Sequence, residues 1–426
     1  MSSFLTNNDY LIISRLLKFF STSYGANARL KLIQTLDNSM SICTSISSRI
    51  QHQLKCRHLI SRLLSAAIQK QTSIYHDGGL YFSIIFCSFL IQCRELSMNA
   101  AKQNLFFQCC LNFIDEMNIP KETITFNSIH QLLAIVRAVI CKPLAYNNAD
   151  LLREKLCLLS VKSFLENITM INSSTQQLIL TIQGLSIHES TLFNGLLYQI
   201  LTSKSYLYCQ PIETLTFNTI DKRYFGTVTE IKEIKIEKKT FLQFFNENRP
   251  FHTLLLCANT EQALLELKES ITTSHRTLTN ILLTKQGFYG GGCSESMQIH
   301  LLKNQMNQLS ARYLSKIFQN IIRAQYDHDY LVDRVHGHLW YLLENDQISK
   351  TCACELYSIS DQCGIEWRKL FFYLDDEQQE DKMSDNDQIF IRNLCPKYLD
   401  NVHMRTNALR TAIETAINLH LTSICL

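Results

Sequence analysis

Glycine and proline are scarce, at 12 and 5 in 426 residues, against roughly 7% and 5% of an ordinary chain. With so few backbone breakers, a mainly helical protein is the expectation. Charge is sparse too: 19% of residues are charged while 46% are apolar, which excludes a disordered chain. The formal net charge is +3 and no block of five or more Lys or Arg occurs, so neither nucleic acid nor an anionic membrane is implied as a partner. The most apolar segment, Leu80 to Gln92, is shorter than the roughly 18 to 20 residues a membrane span needs. It reads as a buried core helix. The opening nine residues are polar and show no leader pattern, so a cytoplasmic protein is expected. One further absence is local: from Asn38 to His76 there is no Asp or Glu.

What is present points to a globular chain of two or three domains. Sixteen cysteines lie mostly singly within apolar runs such as Ile85 to Cys93 and Leu254 to Cys257, the pattern of buried free thiols in a reducing compartment. Cys109/Cys110 and Cys352/Cys354 lack a second pair at zinc-site spacing, and no zinc or haem is expected. His336 and His338 flank Gly337 without a third ligand nearby, and Cys293 has no identifiable base; both are read as structural.

Along the chain, helical periodicity covers Tyr10 to Phe20, a basic amphipathic helix over Gln51 to Ser73, then Tyr81 to Leu96, Met98 to Met117, Ser128 to Cys141 and Ala149 to Phe164. On the basic helix, Leu54, His58, Leu63, Ala66 and Ile68 are expected near the apolar side; its basic face is a candidate contact for an acidic partner, or a solvated face. The period then falls to two over Gln177 to Ile187, Phe225 to Phe244 and Thr253 to Cys257, which read as strands. Helical periodicity resumes from Glu261, broken by short strands near Gly337 to Leu343 and an acidic loop at Asp375 to Asp387. It ends in a helix over His403 to Leu421.

Two glycine motifs sit in the outer parts. Gly290, Gly291 and Gly292 precede a helical run from Ser294 to about Arg323, and His76-Asp77-Gly78-Gly79-Leu80 precedes the most apolar helix. Glycine turns at helix starts let backbone N–H groups approach an anion, and equally make tight turns. Asp77 suits a Mg²⁺–phosphate contact or a helix cap.

The order of segments resembles the group II chaperonins (the TCP-1/cpn60 family) and, among them, their divergent chaperonin-like relatives. SYGANARLK, Ser23 to Lys31, is similar to the family's first phosphate loop, and HDGGL, His76 to Leu80, to its GDGTT turn. Leu133 to Ala145 is similar to the segment entering the intermediate domain. IQGLSIHESTLFNGLL, Ile182 to Leu197, is similar to a family hairpin with Glu189 and Ser190 at a DS-type pair. GGGCSE matches the GGGATE turn, His336 to Trp340 a late equatorial segment, and Ala412 to Ala416 the last helix.

The resemblance implies an equatorial domain built from both chain ends, 1–148 and 261–426. An intermediate α/β domain, 149–200 and 225–260, is inserted, and only a remnant of the apical domain remains at 201–224. It implies a nucleotide pocket of Gly25, Asp77, Gly78, Gly79, Gly290, Gly291 and Gly292, with Asp77 on Mg²⁺ should ATP bind. The family's two further water-orienting carboxylates are missing: the first region is CTSISSR, Cys43 to Arg49, and the second has Thr272 and Thr273. ATP hydrolysis is therefore not expected. The resemblance implies a chaperone that binds unfolded or assembling proteins, working with related chaperonin-like proteins, client subunits and the cytosolic chaperonin on assembly of the ciliary BBSome coat at the centrosome and basal body. An ATP-dependent foldase and a structural adaptor without nucleotide are the alternatives.

Overall fold

The computed structural model describes residues 6–25, 28–34, 41–53, 58–95, 100–119, 121–125, 128–140, 149–168, 178–200, 228–237, 239–246, 251–292, 294–295, 298–299, 301–302, 308–325, 332–335, 338–342, 348–349 and 398–425. They are mostly helical, with five small sheets.

In chain order the first elements are α1 (Asn7–Ser21), the antiparallel hairpin β1 (Lys31–Gln34) and β2 (Ser41–Thr44), then α2 (Ser47–Gln53), α3 (Leu59–Tyr75), α4 (Gly79–Glu95), α5 (Ala100–Glu116), β3 (Lys121–Thr123), α6 (Ile129–Val139) and α7 (Ala149–Glu166). There follow β4 (Ile179–Gln183), β5 (Thr191–Asn194), β6 (Leu196–Ile200), β7 (Glu230–Ile236), β8 (Lys239–Phe245) and β9 (His252–Ala258). The chain ends with α8 (Glu261–Thr284), β10 (Gln286–Tyr289), α9 (Gln308–Gln325), β11 (Val332–Val335), β12 (His338–Leu342), β13 (Ile348–Ser349), β14 (Leu399–Asn401) and α10 (Val402–Cys425).

Two compact units result. One is made of 1–157 and 269–426, both ends of the chain, and the other of 158–268. The divisions fall inside α7 and α8 rather than at their starts.

In the two-ended unit, α4 is apolar on every side, as a helix enclosed by others must be. Every residue from Leu80 to Leu90 is buried, and α4 packs against α1, α3, α9 and α10. Phe82 stacks on Phe86, and Phe89 meets Phe106 and Phe107 of α5. The Nε2 of His58, at the head of α3, lies 2.9 Å from Asp9 of α1, while Thr6 and Asp9 close a capping box on α1. Strand β10 pairs antiparallel with both β3 and β14, so residues 121–123, 286–289 and 399–401 form one sheet. That sheet carries the last residues before α10 to the glycine turn after β10.

In the inserted unit, β9 is buried at all seven positions, pairing parallel with β4 and antiparallel with β5. Strands β6, β8 and β7 form a second, antiparallel sheet. Ile182, Leu185, Phe241, Leu255 and Cys257 make its core. Ser190 Oγ accepts from the Cys257 N–H at 3.0 Å, extending the ladder beyond β5. Glu189 and Ser186 close a capping box on a single 3₁₀ turn at Ile187–Glu189.

Several expectations need correction. Phe225 to Phe244 is not one strand: its described part is the hairpin β7–β8, which reverses at Glu237 with φ 51°. The basic helix is interrupted, with α2 ending at Gln53 and α3 starting at Leu59. On α3 the buried side is Ile60, Leu64, Ile68, Gln71 and Thr72; Leu63 and Ala66 are exposed, the pattern having been phased by part of a turn. After the glycines, the backbone is helical at 294–295, 298–299 and 301–302, and a continuous described helix starts at Gln308. The acidic stretch Asp375 to Asp387, residues 201–224, Leu54, Cys293, His336 and Gly337 lie outside the described residues. Cys87, Cys93, Cys110, Cys157 and Cys257 are buried and Cys43 and Cys109 half-buried, and none of these seven is in a disulfide. No described helix is long and apolar enough to cross a membrane.

Candidate functional site

Three helix starts and one glycine turn converge on a cavity in the two-ended unit. After α1, the Thr22 N–H bonds back to Lys18 and Phe20, and Tyr24 and Gly25 form the first wall. Ile46 and Ser47, at the head of α2, form the second. Between α3 and α4, His76 takes a left-handed turn (φ 60°), and Asp77 and Gly78 follow it. Gly291, in the turn after β10, and Ser270 and Thr273 of α8 close one side; Tyr398, Asp400, Met404 and Arg405 close the other. The Asn401 side chain accepts from the Met404 N–H at 3.1 Å and so starts α10 at this wall.

Four of the seven glycine and aspartate positions picked out in the sequence, Gly25, Asp77, Gly78 and Gly291, line this one cavity. The other three lie next to it and pack. A Cβ on Gly79 would fall 2.8 Å from Ser47 Cβ and 2.9 Å from Ile68, so this glycine lets α4 approach α2 and α3. Gly290 donates to Tyr398 O at 3.0 Å, and a Cβ there would meet Tyr398 and Asp400 at 3.0 and 3.1 Å. Gly292 completes the turn. Gly78 has φ 82° and Gly291 φ 67°, conformations that side-chain-bearing residues rarely adopt. Asp77 Oδ1 accepts from the Gly78 N–H at 2.7 Å, a contact to the next residue rather than a cap on the first turn of α4.

The chemistry of the cavity lies in a buried charge cluster that the sequence reading missed. Arg405 Nη2 donates to Asp400 Oδ2 at 2.6 Å, and Nη1 donates to the Tyr24 phenol oxygen at 2.6 Å and to Glu295 Oε1 at 3.4 Å. The guanidinium lies 4.1 Å from the centroid of the Tyr81 ring. Glu295 is fully buried and also accepts from Ser294 Oγ at 3.1 Å. Burial pushes the Asp400 carboxyl up from the usual carboxylate range; Arg405 pulls it back down and Glu295 adds to the rise. Burial raises the Tyr24 and Tyr81 phenols well above their ordinary value, so both stay neutral. At the rim, burial and then the Arg276 guanidinium lower the His76 pKa, and His76 Nδ1 lies 3.3 Å from Arg276 Nη1. Five residues of this cluster, Tyr24, Tyr81, Glu295, Asp400 and Arg405, come from four separate chain segments, and no spacing rule links them.

The charged groups that line the cavity are largely committed to one another. Arg405 stands inside it with its donors already turned to Asp400, Tyr24 and Glu295. Of the two carboxylates that line the cavity, Asp400 is held by Arg405 and Asp77 remains. Ser47 and Thr273, from the two stretches where the chaperonin resemblance would place water-orienting acids, are on the wall and carry none. Among the described residues no group of three or more His, Cys, Asp or Glu is arranged to hold a metal ion.

No family model matches the chain. It is 24% identical to the mouse molecular chaperone MKKS over 193 residues, 42% of this chain and 33% of that protein. Against the human molecular chaperone MKKS it is 24% identical over 197 residues, 44% of this chain and 35% of that protein. The aligned region spans about a third of the length of the curated relatives it matches. The chain is thus similar, at low identity and over less than half its length, to the molecular chaperone MKKS.

Proposed function

We propose that the chain is a chaperone-like, non-hydrolysing assembly factor that acts by binding protein partners. The observation that carries this reading is the wall of the cavity, where Ile46, Ser47 and Thr273 stand in the stretches from which a hydrolysing chaperonin would supply its acids. Phosphoryl transfer to water needs a group that orients the water beside the γ-phosphate, and serine and threonine hydroxyls are poor bases for it. Similarity to a molecular chaperone supports the chaperone-like part. By resemblance, the partners are related chaperonin-like proteins, the cytosolic chaperonin and client subunits of the ciliary BBSome, in the cytoplasm and at the centrosome and basal body.

The test is suppression of aggregation of a chemically denatured client by the purified chain, with and without Mg-ATP. Equal suppression in both conditions is expected. Suppression that requires Mg-ATP supports the foldase alternative instead, and no suppression in either removes the chaperone reading.

A second reading, a structural adaptor that binds no nucleotide at all, is favoured by one specific feature: Arg405 lines the cavity with its donors already turned to Asp400, Tyr24 and Glu295. Calorimetric titration with Mg-ATP separates the two, since heat of binding lost in Asp77→Ala excludes the adaptor.

A further inference from the structure

We propose that the outer face of α3 is a docking surface for an acidic amphipathic helix of a partner protein. Helix α3 is seated on its own unit by Ile60, Leu64 and Ile68, all buried. The opposite face ought to be polar in a helix with only that task. Instead Leu59, Leu63, Ala66 and Ile74 form a stripe at helical spacing along it, with Leu59 54%, Leu63 39% and Ile74 53% exposed. A row of aliphatic side chains one turn apart is the form that a second helix reads with anchors at i, i+3, i+4 and i+7.

Charge decides the occupant. Lys70 lies within the stripe and Arg62 beside it, both exposed, and neither forms an ion pair among the described residues. No acid lies on α3 to meet them at i±3 or i±4, because the chain holds no Asp or Glu between positions 38 and 76. The face is therefore aliphatic with Lys70 set among its side chains and Arg62 at one edge, and its complement is apolar with anionic side chains. A second copy of the same face would set cation against cation. An anionic membrane is a poorer match, since surface-binding segments gather about four to eight basic residues and this face presents two. The interaction does not depend on whether the neighbouring cavity takes a nucleotide.

The experiment uses the full chain and a labelled synthetic helix of about 20 residues, long enough to run beside α3. It carries Leu along one stripe and Glu on both flanks, and its twin carries Lys in place of every Glu. Fluorescence anisotropy is expected to show saturable binding of the Glu peptide, weakened about tenfold or more by Leu63→Glu with Ile74→Glu. Arg62→Glu with Lys70→Glu, which leaves Leu59, Leu63, Ala66 and Ile74 in place, is expected to switch preference from the Glu peptide to the Lys peptide. Three results overturn the proposal. One is equal binding of both peptides to the wild-type chain, or none. Another is binding of phosphatidylserine vesicles that the same substitutions remove. The third is self-association abolished by Leu63→Glu, which assigns the face to a second copy.

Discussion

Arg405 Nη1 donates to the Tyr24 phenol oxygen across 2.6 Å, joining positions 381 residues apart in the chain. The same guanidinium reaches Asp400 and Glu295 and lies over Tyr81. One side chain therefore fastens the end of α1, the first turn of α4, the turn after β10 and the start of α10. The unit built from both chain ends is closed by charge at the cavity and by apolar packing around α4.

Arg405→Met is expected to destabilise this unit by about 3–5 kcal/mol, because it strands two buried carboxylates without a counter-charge. Urea unfolding followed by circular dichroism measures it. Arg405→Lys should recover only part of the loss, since an ammonium lacks the planar fork that reaches Asp400, Glu295 and Tyr24 and lies over the Tyr81 ring. Adding Asp400→Asn to Arg405→Met should restore stability relative to Arg405→Met alone, as one stranded charge is then gone.

Gly78→Ala is expected to cost about 1–3 kcal/mol through its left-handed backbone, with a further loss from collision of the new Cβ with Met404 Sδ. Thermal unfolding reads the change. Met404→Ala in the same chain relieves the collision and leaves the backbone strain, so recovery is partial. Gly184, at φ 101° with nothing within 4 Å of a Cβ, is the control for strain alone, and Gly184→Ala should cost less.

The buried His420 sits against Phe107 with ring centroids 5.6 Å apart, and burial lowers its pKa from the usual 6.5. A histidine whose folded pKa lies below its unfolded value contributes stability that is complete above the unfolded pKa and is lost as pH falls through it, because unfolding then takes up a proton. The urea midpoint should therefore decline from about pH 7.5 to about pH 5.5, and His420→Phe should flatten that decline. An equal slope in the variant would assign the effect to other groups.

The long elements were legible in the sequence because their burial follows helical period: α4, α5, α6 and α10 lie within a few residues of the periodic segments. The short ones were not. Strands β3, β10 and β14 are three or four residues long, too short to show alternation, and their pairing is non-local. The two halves of the hairpin β7–β8 read as one strand because Glu237 turns the chain without a Gly or Pro to mark it. On α3 the apolar residues lie on both faces, so the pattern could not say which was inside; packing against the unit decided for Ile60, Leu64 and Ile68.

At the site, glycine advertised itself, as the turns at Gly78 and Gly291 show. The buried cluster did not, because Arg405 and Asp400 lie in a polar stretch at the start of α10 with nothing in the local pattern to mark them as buried. A charged side chain discloses its burial only through its partners, and those came from distant segments. Thr273 was noticed for what it replaces and Ser47 only as part of the acid-free stretch Cys43 to Arg49, and the fold sets both at the cavity wall.

Phosphate release from Mg-ATP by the purified chain, measured beside Asp77→Ala, bears most directly on the proposal that this chain does not hydrolyse ATP. The expected result is release at the same background level in both proteins. Turnover by the wild-type chain that Asp77→Ala abolishes would contradict it.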